Sequence, residues 1–147
     1  MNKTFATTYK PLLEQISALK QIADANRNEV GFVNRAKFTE AVINNRIFAV
    51  TIDEKIVGFV IYRHRKLDLQ TTLSEICVDK KWRGLGIGKT LISALYAECV
   101  ALSRSFIQLK CPVGLPANHF YEHLGFTNIA RESGRLRPLN VWRKPIT

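Results

Sequence analysis

Acidic residues are scarce in this chain, with 12 Asp and Glu against 22 Lys and Arg in 147 residues, a formal charge of +10. That balance argues against a pocket built from carboxylates and favours anionic ligands or polyanions. Cysteine is also sparse: Cys77, Cys99 and Cys111 are odd in number, lack C-x-x-C spacing and fall in apolar contexts. A disulfide framework or a zinc site is therefore not expected. Long apolar runs are missing too, since the longest, Ile56 to Tyr62, is far too short to cross a bilayer. The segment MNKTFATTYK has no apolar signal region, so the expectation is a cytoplasmic protein with no membrane partner. No internal repeat, low-complexity tract or linker interrupts residues 1–147, which read as a single domain with a substantial core.

What the chain does contain is concentrated between Leu73 and Leu91, LSEICVDKKWRGLGIGKTL. Leu73 to Val78 reads as a strand, Arg83 to Gly88 holds three glycines, and from Ile87 the apolar residues Leu91, Ile92, Leu95, Cys99 and Leu102 recur at helical spacing. A strand, a glycine turn and a helix follow one another. The first turn of a helix has backbone N–H groups without intrahelical partners and a partial positive charge, so an anion can dock there. Glycine lets the backbone come close to a phosphate and adopts positive φ without strain. Arg83 and Lys89 add full charges beside the turn, which points to a phosphorylated ligand.

Spacing separates the ligand classes that use such a turn. Gly88-Lys89-Thr90 matches the tail of G-x-x-x-x-G-K-[ST], but the first glycine would fall at Arg83. A dinucleotide fold needs a carboxylate at the end of the next strand, and Phe106 to Lys110 ends without one. Coenzyme A remains.

The residues here carry a resemblance. Arg83-Gly84-Leu85-Gly86-Ile87-Gly88 resembles the R/Q-x-x-G-x-G/A signature of the GNAT superfamily of acyl-CoA-dependent N-acyltransferases, and Phe120-Tyr121-Glu122-His123-Leu124-Gly125-Phe126 resembles its FYExLGF motif. The detailed resemblance spans Leu73 to Phe126. The first 45 residues resemble nothing informative.

In chain order, Met1 to Tyr9 reads as a short strand anchored by Phe5, and Pro11 opens a helix through Ala25 whose stripe of Leu12, Leu13, Ile16, Leu19, Ile22 and Ala23 is core. Asn26 to Phe32 reads as a loop and Arg35 to Val42 as a helix. Arg46 to Ile52 and Lys55 to Arg63 form a hairpin around Asp53-Glu54, and Thr71 to Val78 adds a third strand. After the helix Gly86 to Leu102 come the strand Phe106 to Lys110, the helix Ala117 to Leu124 ended by Gly125, and a hairpin of Thr127 to Arg131 with Leu139 to Arg143. The fold class is α+β, a mixed α/β sheet with flanking helices. The resemblance implies a GNAT-like, mostly antiparallel sheet that splays between the strands before and after the long helix.

The resemblance further implies acetyl-CoA as cosubstrate, and the cysteine and histidine spacing gives no reason to expect a metal. Its pantetheine would meet the backbone of Ile76, Cys77 and Val78, and its pyrophosphate the turn of Arg83, Gly84, Leu85, Gly86, Ile87, Gly88 and Lys89. Direct attack of an amine on a thioester needs a neutral amine, a stabilised oxyanion and an acid for the thiolate. Tyr121 is the acid by resemblance, and a phenol's reference pKa near 10 suits that task. The backbone N–H of Val78 is the oxyanion donor by resemblance. Glu75 is a candidate general base, against the alternative of a strand carboxylate in an ordinary ion pair. Many family members carry an asparagine seven residues before the tyrosine, where this chain has Gly114. Asn118, three before it, is the displaced candidate for coenzyme contact.

His119 and His123 stand at i and i+4 but lack a third ligand, and Trp82 and Trp142 read as packing residues. The acceptor is an amine on a small molecule or a protein, and the shortage of carboxylates favours a neutral or anionic acceptor or a protein terminus. Two other function classes fit parts of the sequence. A non-catalytic acyl-CoA sensor would keep the glycine turn without needing Tyr121. A nucleic-acid-binding module would use the basic clusters Arg63 to Lys66, Lys80 to Arg83 and Arg131 to Lys144. A homodimer is compatible with the GNAT resemblance.

Overall fold

The computed structural model describes residues 6–147, leaving out the side chains of residues 28 and 29. Seven strands line up in the order β1-β2-β3-β4-β5-β7-β6. They are β1 (Ala6–Tyr9), β2 (Ile47–Ile52), β3 (Lys55–His64), β4 (Gln70–Val78), β5 (Phe106–Pro112), β6 (Thr127–Glu132) and β7 (Leu139–Pro145). The helices are α1 (Ile16–Ala25), α2 (Arg27–Val30), α3 (Arg35–Ile43), α4 (Ile87–Ala101) and α5 (Ala117–His123). The sheet is mixed and mostly antiparallel: β1–β2, β2–β3, β5–β7 and β6–β7 run antiparallel, and β4–β5 runs parallel. The parallel ladder registers only Gln70–Thr72 against Phe106–Gln108.

The chain forms two compact units, one built from the chain up to Arg63 with Ser74–Leu95, the other from His64–Leu73 with Tyr96–Thr147. In the first unit β3 is buried on both faces from Val57 to Tyr62. One face meets α1 and α3 in a core of Ile16, Leu19, Ile22, Phe38, Phe59 and Ile61, with Phe38 and Phe59 edge to face at 5.2 Å. On the other face a Cβ at Gly58 would lie 3.3 Å from Ile87 and 2.9 Å from the carbonyl oxygen of Cys77. Backbone cannot retreat from such a contact, so position 58 admits only glycine. The β2–β3 turn has positive φ at both Asp53 (50°) and Glu54 (66°), the backbone of a two-residue type I′ hairpin.

Two local readings change, and a third lies partly outside the described residues. The expected helix from Pro11 begins as a 3-10 turn over Leu13–Gln15, because the Gln15 side chain accepts from the Leu12 N–H at 2.9 Å and tightens the entry. Leu12 and Leu13 consequently leave the stripe and are more than half exposed, while Ile16, Leu19, Ile22 and Ala23 are buried. The expected loop Asn26 to Phe32 contains α2, a single turn closed by Gly31 at φ +69°. One turn is too short to write a periodicity. The strand expected over Met1 to Tyr9 is seen as Ala6–Tyr9, and its expected anchor Phe5 lies outside the described residues.

In the second unit β7 sits between β5 and β6. Arg104 ties the chain entry together: one terminal nitrogen donates to the carbonyls of Arg65 (2.9 Å), Asp68 (3.2 Å) and Gln70 (2.7 Å). All six residues of β6 are exposed, and a bulge falls between Asn128 and Ala130. Among the described residues no helix is long and apolar enough to cross a membrane.

Candidate active site

In the first unit, β4 leads through Asp79 and a 3-10 turn at Lys80–Trp82 into the glycine turn and α4. The Asp79 N–H donates to the Val57 carbonyl at 2.8 Å, holding the strand exit against β3. Gly84 and Gly86 take φ of +80° and +78°, and a Cβ at either would meet open space. Conformation rather than crowding requires glycine there. The first helical bond runs from Thr90 N–H to Gly86 carbonyl at 3.0 Å, so the N–H groups of Ile87, Gly88 and Lys89 precede the intrahelical ladder. Leu85 and Lys89 are exposed.

Arg83 is built into this turn. Its Nε donates to the Val78 carbonyl at 3.1 Å, and a terminal nitrogen donates to Asn26 Oδ1 at 2.9 Å. Asn26 is 1% exposed and donates in turn to the Ile22 carbonyl at 2.7 Å. The end of α1 thereby braces the glycine turn. Sequence reasoning missed Asn26, and the sole trace of it is a polar residue directly after an apolar stripe.

On β4 the side chains alternate. Cys77 points into the α1–α3 core, while Ile76 and Val78 are half-buried on the other face. Glu75 shares the Cys77 side of the strand, and its Oε1 accepts from Lys37 Nζ of α3 at 3.1 Å. Burial pushes the Glu75 carboxyl above its ordinary pKa, and the charge and hydrogen bond of Lys37 oppose that rise. The carboxylate is thus held partly out of water by the fold and kept ionisable by a single cation.

In the second unit Tyr121 is 6% exposed on α5, its ring edge to face with Phe120 at 5.4 Å and Phe126 at 5.8 Å. Gly125, at φ +90°, ends that helix. Asn118 uses its full hydrogen-bonding capacity inside the unit: Nδ2 donates to the carbonyls of Pro112 and Leu115, both at 2.9 Å. Its Oδ1 accepts from Asn140 Nδ2 at 3.1 Å and from Trp142 Nε1 at 2.9 Å. It pins the segment after β5 to β7. Burial raises the pKa of the Cys99 and Cys111 thiols, which keeps them protonated at neutral pH.

The acetyltransferase (GNAT) domain profile matches residues 43–128, more than half of the chain. The chain belongs to the GNAT acetyltransferase family, whose members transfer acyl groups from coenzyme A. The fold is similar to that of Ard1 from Thermoplasma volcanium, with a TM-score of 0.86, 17% identity and coverage of 97% of this chain and 98% of that one. It is also similar to the ribosomal-protein-S18-alanine N-acetyltransferase of Escherichia coli, at 0.82, 19%, 97% and 95%. A third relative is the PaiA N-acetyltransferase of Thermoplasma acidophilum in complex with coenzyme A, at 0.81, 13%, 96% and 99%. A search of curated protein sequences found no match.

Proposed function

We propose that the protein transfers acetyl from acetyl-CoA to an amine by direct attack within a ternary complex. The observation that carries this reading is the turn from Arg83 to Lys89. Two left-handed glycines present the N-terminus of α4, and Arg83 is locked to β4 and Asn26 behind them. That is a preformed cradle for a pyrophosphate. The backbone of Ile76, Cys77 and Val78 takes the pantetheine, with the Val78 N–H as oxyanion donor, and residues 83–89 take the pyrophosphate. Asn118 shapes the segment beyond β5 instead of reaching the coenzyme directly.

Glu75 takes the proton from the ammonium form of the acceptor, directly or through water. The neutral amine then attacks the thioester carbon and a C–N bond forms; as the C–S bond breaks, Tyr121 protonates the departing thiolate, and the proton shed by the new amide nitrogen restores the phenol. The acceptor we place first is the α-amine of a polypeptide. The shortage of carboxylates disfavours a polycation, and a protein alanine is the acceptor named for the Escherichia coli relative.

Thermal unfolding with acetyl-CoA, desulfo-CoA, ATP and NADH tests the coenzyme assignment. The two CoA compounds should each stabilise the protein by about 2.7 kcal/mol at a hundredfold excess over Kd, and ATP and NADH should not. Stabilisation by ATP or NADH alone would overturn the assignment. Thiol release from acetyl-CoA then compares an alanine-initiated peptide with spermidine. Tyr121→Phe keeps the ring contacts with Phe120 and Phe126, so it should lower turnover about a hundredfold while the CoA-induced stabilisation stays unchanged.

A further inference from the structure

The first turn of α3 carries Arg35 and Lys37 and no acidic residue. Cations there oppose the helix dipole, which favours negative charge at an N-terminus. Functional sites are among the places where such local preferences are broken. Lys37 is also fixed in place. Its own N–H donates to the cap Asn34 Oδ1 at 2.8 Å, and the next residue, Phe38, is fully buried against Phe59. From that anchored backbone the side chain reaches Glu75 Oε1 at 3.1 Å, 38 residues along the chain.

Other charged groups on α1 and α3 have partners of their own. On α3, Arg35 donates to Ser17 Oγ of α1 at 3.2 Å, and Glu40 pairs with Arg46. On α1, Lys20 pairs with Asp24 at 2.6 Å. The charge that acts on the Glu75 carboxyl is that of Lys37.

We infer that Lys37 is a positioning residue for the reaction, orienting the Glu75 carboxylate from α3 and keeping it ionised so that it can accept the acceptor's proton. The inference rests on the reading of Glu75 as the base. Burial favours the protonated carboxyl and the Lys37 charge favours the carboxylate, which is the form that can take a proton from an amine. Lys37 acts through the Glu75 carboxylate and takes no proton itself.

The test is a carbon-13 NMR titration of glutamate-labelled full-length protein, with the Glu75 signal identified by its loss in Glu75→Gln. In Lys37→Met the Glu75 midpoint should move to higher pH, so that at the wild-type midpoint the ionised fraction falls from half to about a tenth. Lys37→Arg should restore the wild-type titration. Lys37→Gln serves in place of Lys37→Met if the latter fails to fold. An unmoved or lowered midpoint in the charge-free variant would overturn the proposal. So would a midpoint that moves in Lys37→Arg as far as in Lys37→Met. The parent reading fails separately: a Glu75→Gln enzyme with the wild-type pH–rate profile removes Glu75 as base, whatever the titration shows.

Discussion

Two glutamates in this molecule are drawn out of water in different ways. In the second unit Glu98 Oε2 lies 2.7 Å from His64 Nε2, and His64 Nδ1 lies 2.7 Å from Thr71 Oγ1. Thr71 is fully buried and accepts from Cys99 Sγ at 3.4 Å and from Arg104 Nε at 3.3 Å. With a neutral ring one relay serves the whole cluster: Arg104 donates to Thr71, the threonine hydroxyl to Nδ1, and Nε2–H to the carboxylate. Glu98 closes a network that also binds the ends of β3, β4 and α4. Glu75, in the first unit, stands on a strand face with one lysine beside it, and burial raises its pKa. The contrast is between a carboxylate tied into a hydrogen-bonded network and one with a single cation whose pKa burial raises, and a perturbed group of the second kind is a candidate for function.

Substitution at the two positions should give opposite signatures. The largest expected effect is at Glu75. Glu75→Gln should lower turnover by about 10²–10⁴-fold, measured as thiol release, with the CoA-induced thermal shift retained. At Glu98 the reverse holds. Glu98→Ala leaves His64 without its carboxylate and should reduce unfolding free energy by about 1–3 kcal/mol in denaturant titration, with turnover near wild type. If Glu98→Ala lost turnover while keeping its stability, the contrast between the two glutamates would collapse.

The smallest effect lies in the pH dependence of stability. The folded-state pKa of Glu75 is raised, so the native protein binds more protons than the unfolded chain between the ordinary carboxylate value and the raised one. Stability therefore falls as pH rises through that window. The melting temperature of Glu75→Gln should gain on that of the wild type across the same window and level off above it. A gap that is independent of pH would show that burial places no strain on this carboxylate.

What could be read in the sequence follows from how local each signal is. The turn Arg83 to Gly88, the helix after it and the Asp53-Glu54 hairpin each declare themselves within a few residues, through positive-φ demands and periodicity, and the structure contains all three. The joints that hold the site together are not local. Arg83 meets Asn26 across 57 positions and Lys37 meets Glu75 across 38, and nothing in the intervening residues records either pairing. The 3-10 entry to α1 depended on a single side chain, Gln15, folding back on Leu12. Strand alternation picks out Glu75, and the structure gives it both an ion pair with Lys37 and partial burial.

The strand at the end of the sheet has a further consequence. β6 lies outermost beyond β7 with all six of its residues exposed, an open row of backbone donors and acceptors of the kind on which a foreign strand can add and aggregation can start. Its bulge between Asn128 and Ala130 interrupts the regular spacing that an incoming strand would need. Arg131 and Glu132 put charge along the edge, with Glu132 bound to Lys110 at 2.8 Å. These features let a sheet that stops in open solvent remain a sheet of seven strands.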